Sequence, residues 1–148
     1  MEVELSSDQK GAIAELAIAK AAIARRIGVY RPLGDGGRYD LIFDFGDRLD
    51  RVQCKWAPLR RDVITVRLYS NRRTADGSRR RAYAMGEIDA LAAYCPELDR
   101  CFYLSADHVA TRLQLSLRIA PSRNNQASGV NWADDFAFEG LQSAPLGP

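Results

Sequence analysis

The sequence predicts an α/β domain in which an N-terminal helix packs on a mixed, mostly antiparallel sheet flanked by further helices. A long alanine-rich stretch near the N-terminus predicts the helix, and short apolar stretches separated by glycine or polar turns predict the strands. The length of 148 residues, with 47% hydrophobic and 27% charged residues, is typical of one globular domain. We therefore assign residues 1–142 to a single domain and expect a disordered tail at residues 143–148.

The helix is expected to begin after the capping residues Ser6, Ser7 and Asp8 and to run from Gln9 to Ile27, with Gly28 ending it. At helical spacing, one apolar stripe is predicted to face the core; it comprises Ile13, Leu16, Ile23 and Ile27. Glu15 falls off that stripe, among small residues. It is therefore either a partly buried carboxylate that needs a partner or a solvent-facing side chain near Arg26.

Two strands after the helix bring polar side chains together. A short strand at residues 29–31 is stopped by Pro32, and a glycine-rich segment follows it. One strand then begins at Tyr39–Asp40 and a second ends in Gln53-Cys54-Lys55. Because side chains alternate along a strand, Gln53 and Lys55 share one face. A hairpin with Asp40 opposite Lys55 and a loop at Gly46–Leu49 gathers an acid, an amide and an amine on one patch.

The remaining chain predicts a third strand of the same meander, a polar loop, one more helix, two more strands and an aromatic-anchored tail. The third strand is Asp62–Ser70, and the polar loop is Asn71–Arg81 with a turn at Asp76-Gly77. The helix is Gly86–Tyr94, and the two further strands are Cys101–Leu104 and Leu113–Ala120. The anchors of the tail are Trp132, Phe136 and Phe138.

Positive charge is concentrated directly after the Gln53–Lys55 patch. Residues 58–81 hold eight arginines and two aspartates, whereas the net charge of the whole chain is only +2. Such a block attracts polyanions, although a solvated loop without a partner has the same composition. The arginines that we expect to bind nucleic acid are Arg60, Arg61, Arg72, Arg73, Arg79 and Arg80.

The acid, amide and amine fit metal-dependent phosphodiester cleavage. Mg²⁺ prefers oxygen ligands, and Asp40 is the obvious direct one. The Gln53 side-chain carbonyl and a backbone carbonyl near Cys54 are candidate further ligands, and Glu15 is a candidate for holding a metal-bound water or a second ion. Lys55 is suited to orient the attacking water and to neutralise charge on the phosphate. A surface hairpin with a polar solvent face is the alternative.

A wider pattern resembles the PD-(D/E)XK nuclease core, with Gln in the (D/E) position. Its residues are Glu15, then Gly34-x-Gly-Gly-x-Tyr-Asp40, then Val52-Gln-Cys-Lys55. More narrowly, the chain resembles the group I intron-associated PD-(D/E)XK endonucleases, since later blocks also match over roughly residues 9–138. These blocks are Glu87-Ile88-Asp89, Tyr94-Cys95-Pro96, Leu115-x-Leu-Arg118, Pro121, Asn124-Asn125-Gln126 and Asn131-Trp132-Ala133.

The resemblance implies a restriction-endonuclease-like topology with Glu15, Asp40, Gln53 and Lys55 as active-site residues. Two positions depart from the family pattern: Tyr39 replaces the motif's proline, and Gln53 replaces a carboxylate and so removes one negative charge from the metal site.

The implied function is a Mg²⁺-dependent, homing-endonuclease-like DNA endonuclease acting on double-stranded DNA. A structure-specific nuclease of the Holliday-junction-resolvase kind and a non-cleaving nucleic-acid-binding module are the alternatives. Cutting two strands with one site per chain implies a homodimer or homotetramer. We expect a cytoplasmic protein without a membrane partner, because no apolar window is long enough to span a bilayer and the N-terminus lacks a signal-peptide pattern.

Overall fold

The fold is taken from a computed structural model that describes residues 3–34, 36–74, 77–82, 86–110, 112–122, 124 and 129–144, with the backbone of residues 70–74 and 77–82. The chain begins with the helix α1 (Ser7–Ala24) and carries a one-turn helix α2 (Ala106–Val109) and 3₁₀ turns at Ala133–Phe136 and Phe138–Gly140. The strands in the described part are β1 (Gly28–Tyr30), β2 (Leu41–Asp44), β3 (Leu49–Trp56), β4 (Leu59–Arg60), β5 (Val63–Arg67), β6 (Tyr69–Thr74), β7 (Gly77–Ala82), β8 (Ala90–Cys95), β9 (Arg100–Ser105), β10 (Gln114–Arg118) and β11 (Asn131–Trp132).

The central sheet has the strand order β1-β2-β3-β8-β9. The β3–β8 pair is parallel and the other neighbours are antiparallel, which confirms the predicted mixed, mostly antiparallel sheet. A second sheet has the order β11-β10-β5-β4, and β6 pairs with β7 in a separate two-stranded sheet. The prediction that residues 62–70 continue the β2–β3 meander was therefore wrong, because β5 pairs with β4 and β10 instead.

Both faces of the central sheet are covered, and this explains one wrong prediction. On one face, Ala14, Ile18 and Ala22 of α1 join a buried cluster that includes Ala92 of β8. On the other face, the alternate β8 residues Leu91, Ala93 and Cys95 pack with the second sheet. A strand buried on both faces has a continuous apolar sequence instead of an alternating one. The segment predicted as a helix at Gly86–Tyr94 is therefore largely the buried strand β8.

The helix α1 begins two residues before the predicted Gln9 and ends three residues before the predicted Ile27. Ser6 caps it, and the side chains of Ser6 and Gln9 bond each other's backbone amides in a capping box. It ends at Ala24, and the backbone reverses at Arg26 with a φ of 63°, so Gly28 opens β1 and does not cap the helix.

The predicted core stripe of α1 was also wrong at three of its four positions. Ile13, Leu16 and Ile23 are 37%, 69% and 61% exposed, whereas Ile27 is buried. The helix instead packs through a face that is largely alanine, because small side chains allow a helix axis to lie close to its neighbour. An apolar stripe is thus left on the surface of the chain.

The end of the described chain packs back onto the domain. Phe138 is buried against Phe43 and Tyr103, as predicted for an anchor of the tail. The Ala144 amide donates to the Phe45 carbonyl oxygen at 2.6 Å, whereas residues 145–148 of the predicted tail lie outside the described residues. Within the described part of the chain, no helix is long and apolar enough to cross a membrane.

Candidate active site

The β2–β3 hairpin has a different register from the predicted one. Leu41 pairs with Val52, and the Asp40 amide donates to the Val52 carbonyl oxygen at 2.9 Å. The predicted register, with Asp40 opposite Lys55, would set Leu41 opposite Cys54; it was therefore wrong by two residues, and Asp40 itself lies just before β2. The loop is also shorter than predicted, since the Phe45 amide bonds the Arg48 carbonyl oxygen across a two-residue turn whose Gly46 has a φ of 93°. Two-residue hairpin turns require such a backbone conformation, which glycine adopts readily.

The even shift in register keeps the side chains on their predicted faces. Val52, Cys54 and Trp56 contact the cluster beneath α1, so Gln53 and Lys55 lie on the face of β3 away from that helix. Asp40 precedes β2, and its Oδ2 accepts a hydrogen bond of 2.9 Å from the Cys54 amide. This bond holds the Asp40 carboxylate against β3 at Cys54, the residue between Gln53 and Lys55.

Asp40 is electrostatically linked to a carboxylate and to an amine. Burial raises its pKa, and the Cys54 amide and the Lys55 charge act in the opposite direction. Burial also raises the pKa of Glu15, and the nearby Asp40 charge adds to that rise. Asp40 therefore interacts with Glu15 of α1 and with Lys55 of β3, which brings these three predicted residues into one site.

Glu15 lies on the flank of the buried face of α1 and is paired with a residue that the sequence analysis did not single out. Its side chain is 26% exposed, and its Oε1 lies 3.3 Å from a terminal nitrogen of Arg31, whose side chain is 75% exposed. Of the two alternatives left open by the sequence, Glu15 fits the partly buried carboxylate, and Arg31 is its ion-pair partner. The Arg31 charge lowers the pKa of Glu15 and opposes the effect of burial.

Lys55 is held by the backbone at the start of β6. Its Nζ donates a hydrogen bond of 2.9 Å to the Tyr69 carbonyl oxygen. Burial lowers the pKa of the lysine, the nearby Arg38 and Arg67 act in the same direction, and Asp40 opposes them. A buried amine beside a carboxylate is well suited to contact a substrate oxygen, because the low local dielectric strengthens the interaction.

Gln53 and Cys54, the other predicted metal-site residues, lie half-buried in the middle of β3. Both pair with the parallel strand β8, where Gln53 is in register with Leu91 and Cys54 with Ala92. Burial raises the pKa of the Cys54 thiol well above its ordinary value, so the thiol stays protonated and unreactive. Any contribution of Cys54 to a metal site thus comes from its backbone.

The donor set fits a hard divalent cation that also takes ligands from elsewhere. Among the described residues, no group of three or more His, Cys, Asp or Glu side chains could hold a metal. Glu15 and Asp40 are instead two neighbouring carboxylates whose pKa values are raised, and a cation between them relieves their repulsion. Mg²⁺ prefers oxygen ligands, keeps several waters and is often bound by one or two carboxylates plus substrate phosphate.

Two further ion pairs brace the site and were also missed. Arg38, in the glycine-rich segment, pairs with Glu87 before β8, and both side chains are largely buried. Arg51 of β3 makes a two-pronged contact with Asp89, at 3.0 and 3.2 Å, and donates to the Gly86 carbonyl oxygen at 2.6 Å. Both pairs connect the β2–β3 region to the segment that leads into β8.

The arginine block is divided between two elements. Arg60 and Arg61 are exposed at the β4–β5 turn, where Arg61 has a φ of 57°. The segment predicted as a loop at residues 71–81 belongs to the antiparallel β6–β7 pair, here called the arginine hairpin, although Asp76 of its predicted turn lies outside the described residues. Its register sets Arg72 opposite Arg79 and Asn71 opposite Arg80.

Comparisons with known proteins agree with this architecture. The profile of the PD-(D/E)XK endonuclease family matches residues 5–139. The solved structure of a bacterial homing endonuclease, I-Ssp6803I, superposes with a TM-score of 0.71 and 23% sequence identity, covering 90% of this chain and 89% of that one. At that level of identity the superposition demonstrates a shared fold. No curated protein matches the chain significantly.

Proposed function

This chain belongs to the PD-(D/E)XK endonuclease family, and we propose that it is a Mg²⁺-dependent, homing-endonuclease-like enzyme that cleaves double-stranded DNA. The observation that carries the proposal is the position of Asp40, whose carboxylate is bonded to the Cys54 amide and interacts with both Glu15 and Lys55. The similarity in fold to a bacterial homing endonuclease supports the same type of activity.

In this proposal the chain supplies a cation site and a positively charged amine, and both act on the same phosphate. Asp40, Glu15, the Gln53 side chain and the Cys54 backbone carbonyl would hold Mg²⁺. When bound, the cation supplies the Lewis acid for phosphodiester hydrolysis. The Lys55 amine, directed by its bond to the Tyr69 carbonyl, orients the attacking water and stabilises the negative charge that develops on the phosphate.

DNA binding is assigned to the arginine block. The residues proposed to contact the DNA are Arg60, Arg61, Arg72, Arg73, Arg79 and Arg80. The arginine hairpin begins at Tyr69, whose carbonyl oxygen binds Lys55, so phosphate contacts made by the hairpin would lie next to the cleavage site.

We further propose that the enzyme works as a homodimer or homotetramer, with a second copy covering the exposed stripe of α1. Each chain carries one candidate site, and cutting both strands of a duplex requires two. Ile13, Leu16 and Ile23 form an exposed apolar stripe on one helix, and the same surface on two copies can pair about a twofold axis.

The cytoplasm is the proposed compartment. Cys54, Cys95 and Cys101 are free thiols, and thiols persist in the reduced form in the cytosol.

Nicking of plasmid DNA tests the proposed activity. Supercoiled, linear and branched substrates are incubated with Mg²⁺ or EDTA, for the wild type, Lys55→Ala and the control Arg112→Ala, which removes an exposed charge outside the site and the arginine block. Nicking that requires Mg²⁺ and Lys55 but not Arg112 supports the proposal. Cleavage restricted to branched DNA would favour a junction resolvase, and DNA binding without cleavage would favour a non-cleaving module.

A further inference from the structure

Arg31 lies at the mouth of the candidate site and is none of the residues proposed above to hold the cation or to contact DNA. It follows β1 directly, and β1 pairs with β2 in a register that sets Tyr30 opposite Ile42. Arg31 and Asp40 line the same cleft. The guanidinium is 75% exposed, and it reaches back to Glu15 at 3.3 Å.

The ion pair with Glu15 places a positive charge where a cation would bind. The Glu15 carboxylate is destabilised by burial and by Asp40, and the Arg31 charge offsets part of this. A divalent cation bound by Glu15 would compete with the guanidinium for the same carboxylate. Because the Arg31 side chain is largely exposed and solvent screens its charge, the guanidinium is readily displaced.

A displaced guanidinium has a polar cleft beside it. The cleft has a volume of about 120 Å³ and is lined by Arg31, Glu15 and Asp40 together with Gly34, Gly36 and Gly37. Glycines allow a ligand to approach the backbone closely, and a guanidinium fork matches the geometry of a phosphate. The exposed arginine at the edge of this cleft can thus reach a phosphate of DNA that enters the site.

We propose that Arg31 is a phosphate-binding residue that is held on Glu15 in the DNA-free protein and transfers to a DNA phosphate when a divalent cation takes over Glu15. This assignment rests on the proposed function. It makes cation binding and DNA binding cooperative, because the cation releases the guanidinium that the DNA then binds.

The test compares Arg31→Ala and Arg31→Lys with the wild type and with the control Arg112→Ala. Binding of Mn²⁺ to the DNA-free proteins is measured by isothermal titration calorimetry. Loss of the competing guanidinium is expected to tighten Mn²⁺ binding by about two- to five-fold in Arg31→Ala, the range set by the strength of an exposed ion pair. Arg31→Lys and Arg112→Ala should bind Mn²⁺ much as the wild type does.

DNA binding is measured in Ca²⁺ by fluorescence anisotropy at several salt concentrations. Arg31→Ala is expected to bind DNA more weakly and to flatten the plot of log K against log salt by about 0.9, the contribution of one phosphate contact. Arg31→Lys keeps the charge and should restore the slope. If Arg31 had a purely structural role, its replacement by alanine would not tighten Mn²⁺ binding while weakening DNA binding.

The outcomes separate the two proposals. A wild type that binds Mn²⁺ together with an Arg31→Ala variant that has unchanged Mn²⁺ affinity or an unchanged salt slope would overturn the assignment of Arg31 alone. A wild type that binds no Mn²⁺ and nicks no DNA would overturn the proposed function and this assignment together.

Discussion

The Lys55 amine and the Tyr69 backbone carbonyl are joined by a hydrogen bond of 2.9 Å. Lys55 lies on β3 beside Asp40, and Tyr69 is the first residue of β6. The candidate catalytic strand and the arginine hairpin belong to different sheets, and this bond connects them directly.

Replacing Lys55 by alanine is expected to lower the cleavage rate at least about 100-fold, because one preorganised donor to a developing negative charge contributes about that much. DNA affinity should change little, since the arginines supply most phosphate contacts in our proposal. Single-turnover cleavage and anisotropy on the same DNA measure the two quantities. Cleavage by the variant at a near wild-type rate would show that Lys55 has no catalytic role.

Replacing Asp40 by asparagine is expected to abolish cleavage and to leave DNA binding equal or tighter. The amide oxygen can still accept the Cys54 N–H bond, so the local structure is preserved, but the negative charge that attracts a cation is lost. Removing the same charge also removes a repulsion toward phosphate. Gel-shift and cleavage assays check the two effects, and Mn²⁺ binding by the variant that equals the wild type would rule Asp40 out as a ligand.

The same Asp40→Asn variant is expected to be more stable than the wild type at pH 7. Burial raises the pKa of Asp40 in the folded protein, so the folded state binds this proton more tightly than the unfolded chain does. The ionised carboxylate therefore destabilises the fold once the pH exceeds its unfolded pKa. The Tm advantage of the variant should disappear as the pH falls below about 4, where aspartate is protonated in both states. Thermal melts between pH 3 and 8 follow the difference.

The salt dependence of DNA binding tests the arginine hairpin. If Arg72, Arg73, Arg79 and Arg80 each contact a phosphate, replacing all four by alanine should flatten the slope of log K against log salt by about 3.6. Binding should weaken for all sequences alike, because phosphate contacts carry no direct sequence information. An unchanged slope would place the DNA-binding surface elsewhere, and Arg112→Ala provides the control for a single exposed charge.

The exposed stripe of α1 makes the proposed oligomer testable. Replacing Leu16 and Ile23 by glutamate should dissociate the oligomer, as measured by size-exclusion chromatography with light scattering. The monomer should then nick one strand at a time instead of making double-strand breaks. Val3→Glu, at another exposed apolar position, is the control and should leave the assembly intact. A wild type that is monomeric at micromolar concentration would contradict the prediction.

Local sequence patterns predicted which residues share a face but not which residues lie opposite each other. Alternation along β3 placed Gln53 and Lys55 together, and that relationship depends only on the strand geometry. The register of Asp40 depends on the turn, and a four-residue and a two-residue loop both fit the same polar stretch. The hydrogen bonds of the folded hairpin select the shorter turn at Gly46.

The residues that the sequence did not indicate act through distant contacts. Arg31 pairs with Glu15 and Arg38 pairs with Glu87, and no local periodicity reports such pairs. The α1 faces were misassigned for a similar reason. Isoleucine and leucine at helical spacing usually mark the core, but here the alanine face fits the sheet and the larger side chains remain on the surface.

The isolation of the arginine hairpin has a consequence for how this enzyme could change over generations. Within the described residues, its two strands pair only with each other and with neither of the other two sheets. Beyond Tyr69, whose carbonyl oxygen bonds Lys55, substitutions in the hairpin leave the strand pairing of the other two sheets in place. A lineage could therefore tune how tightly it holds DNA, and at what salt concentration, while retaining its cutting chemistry.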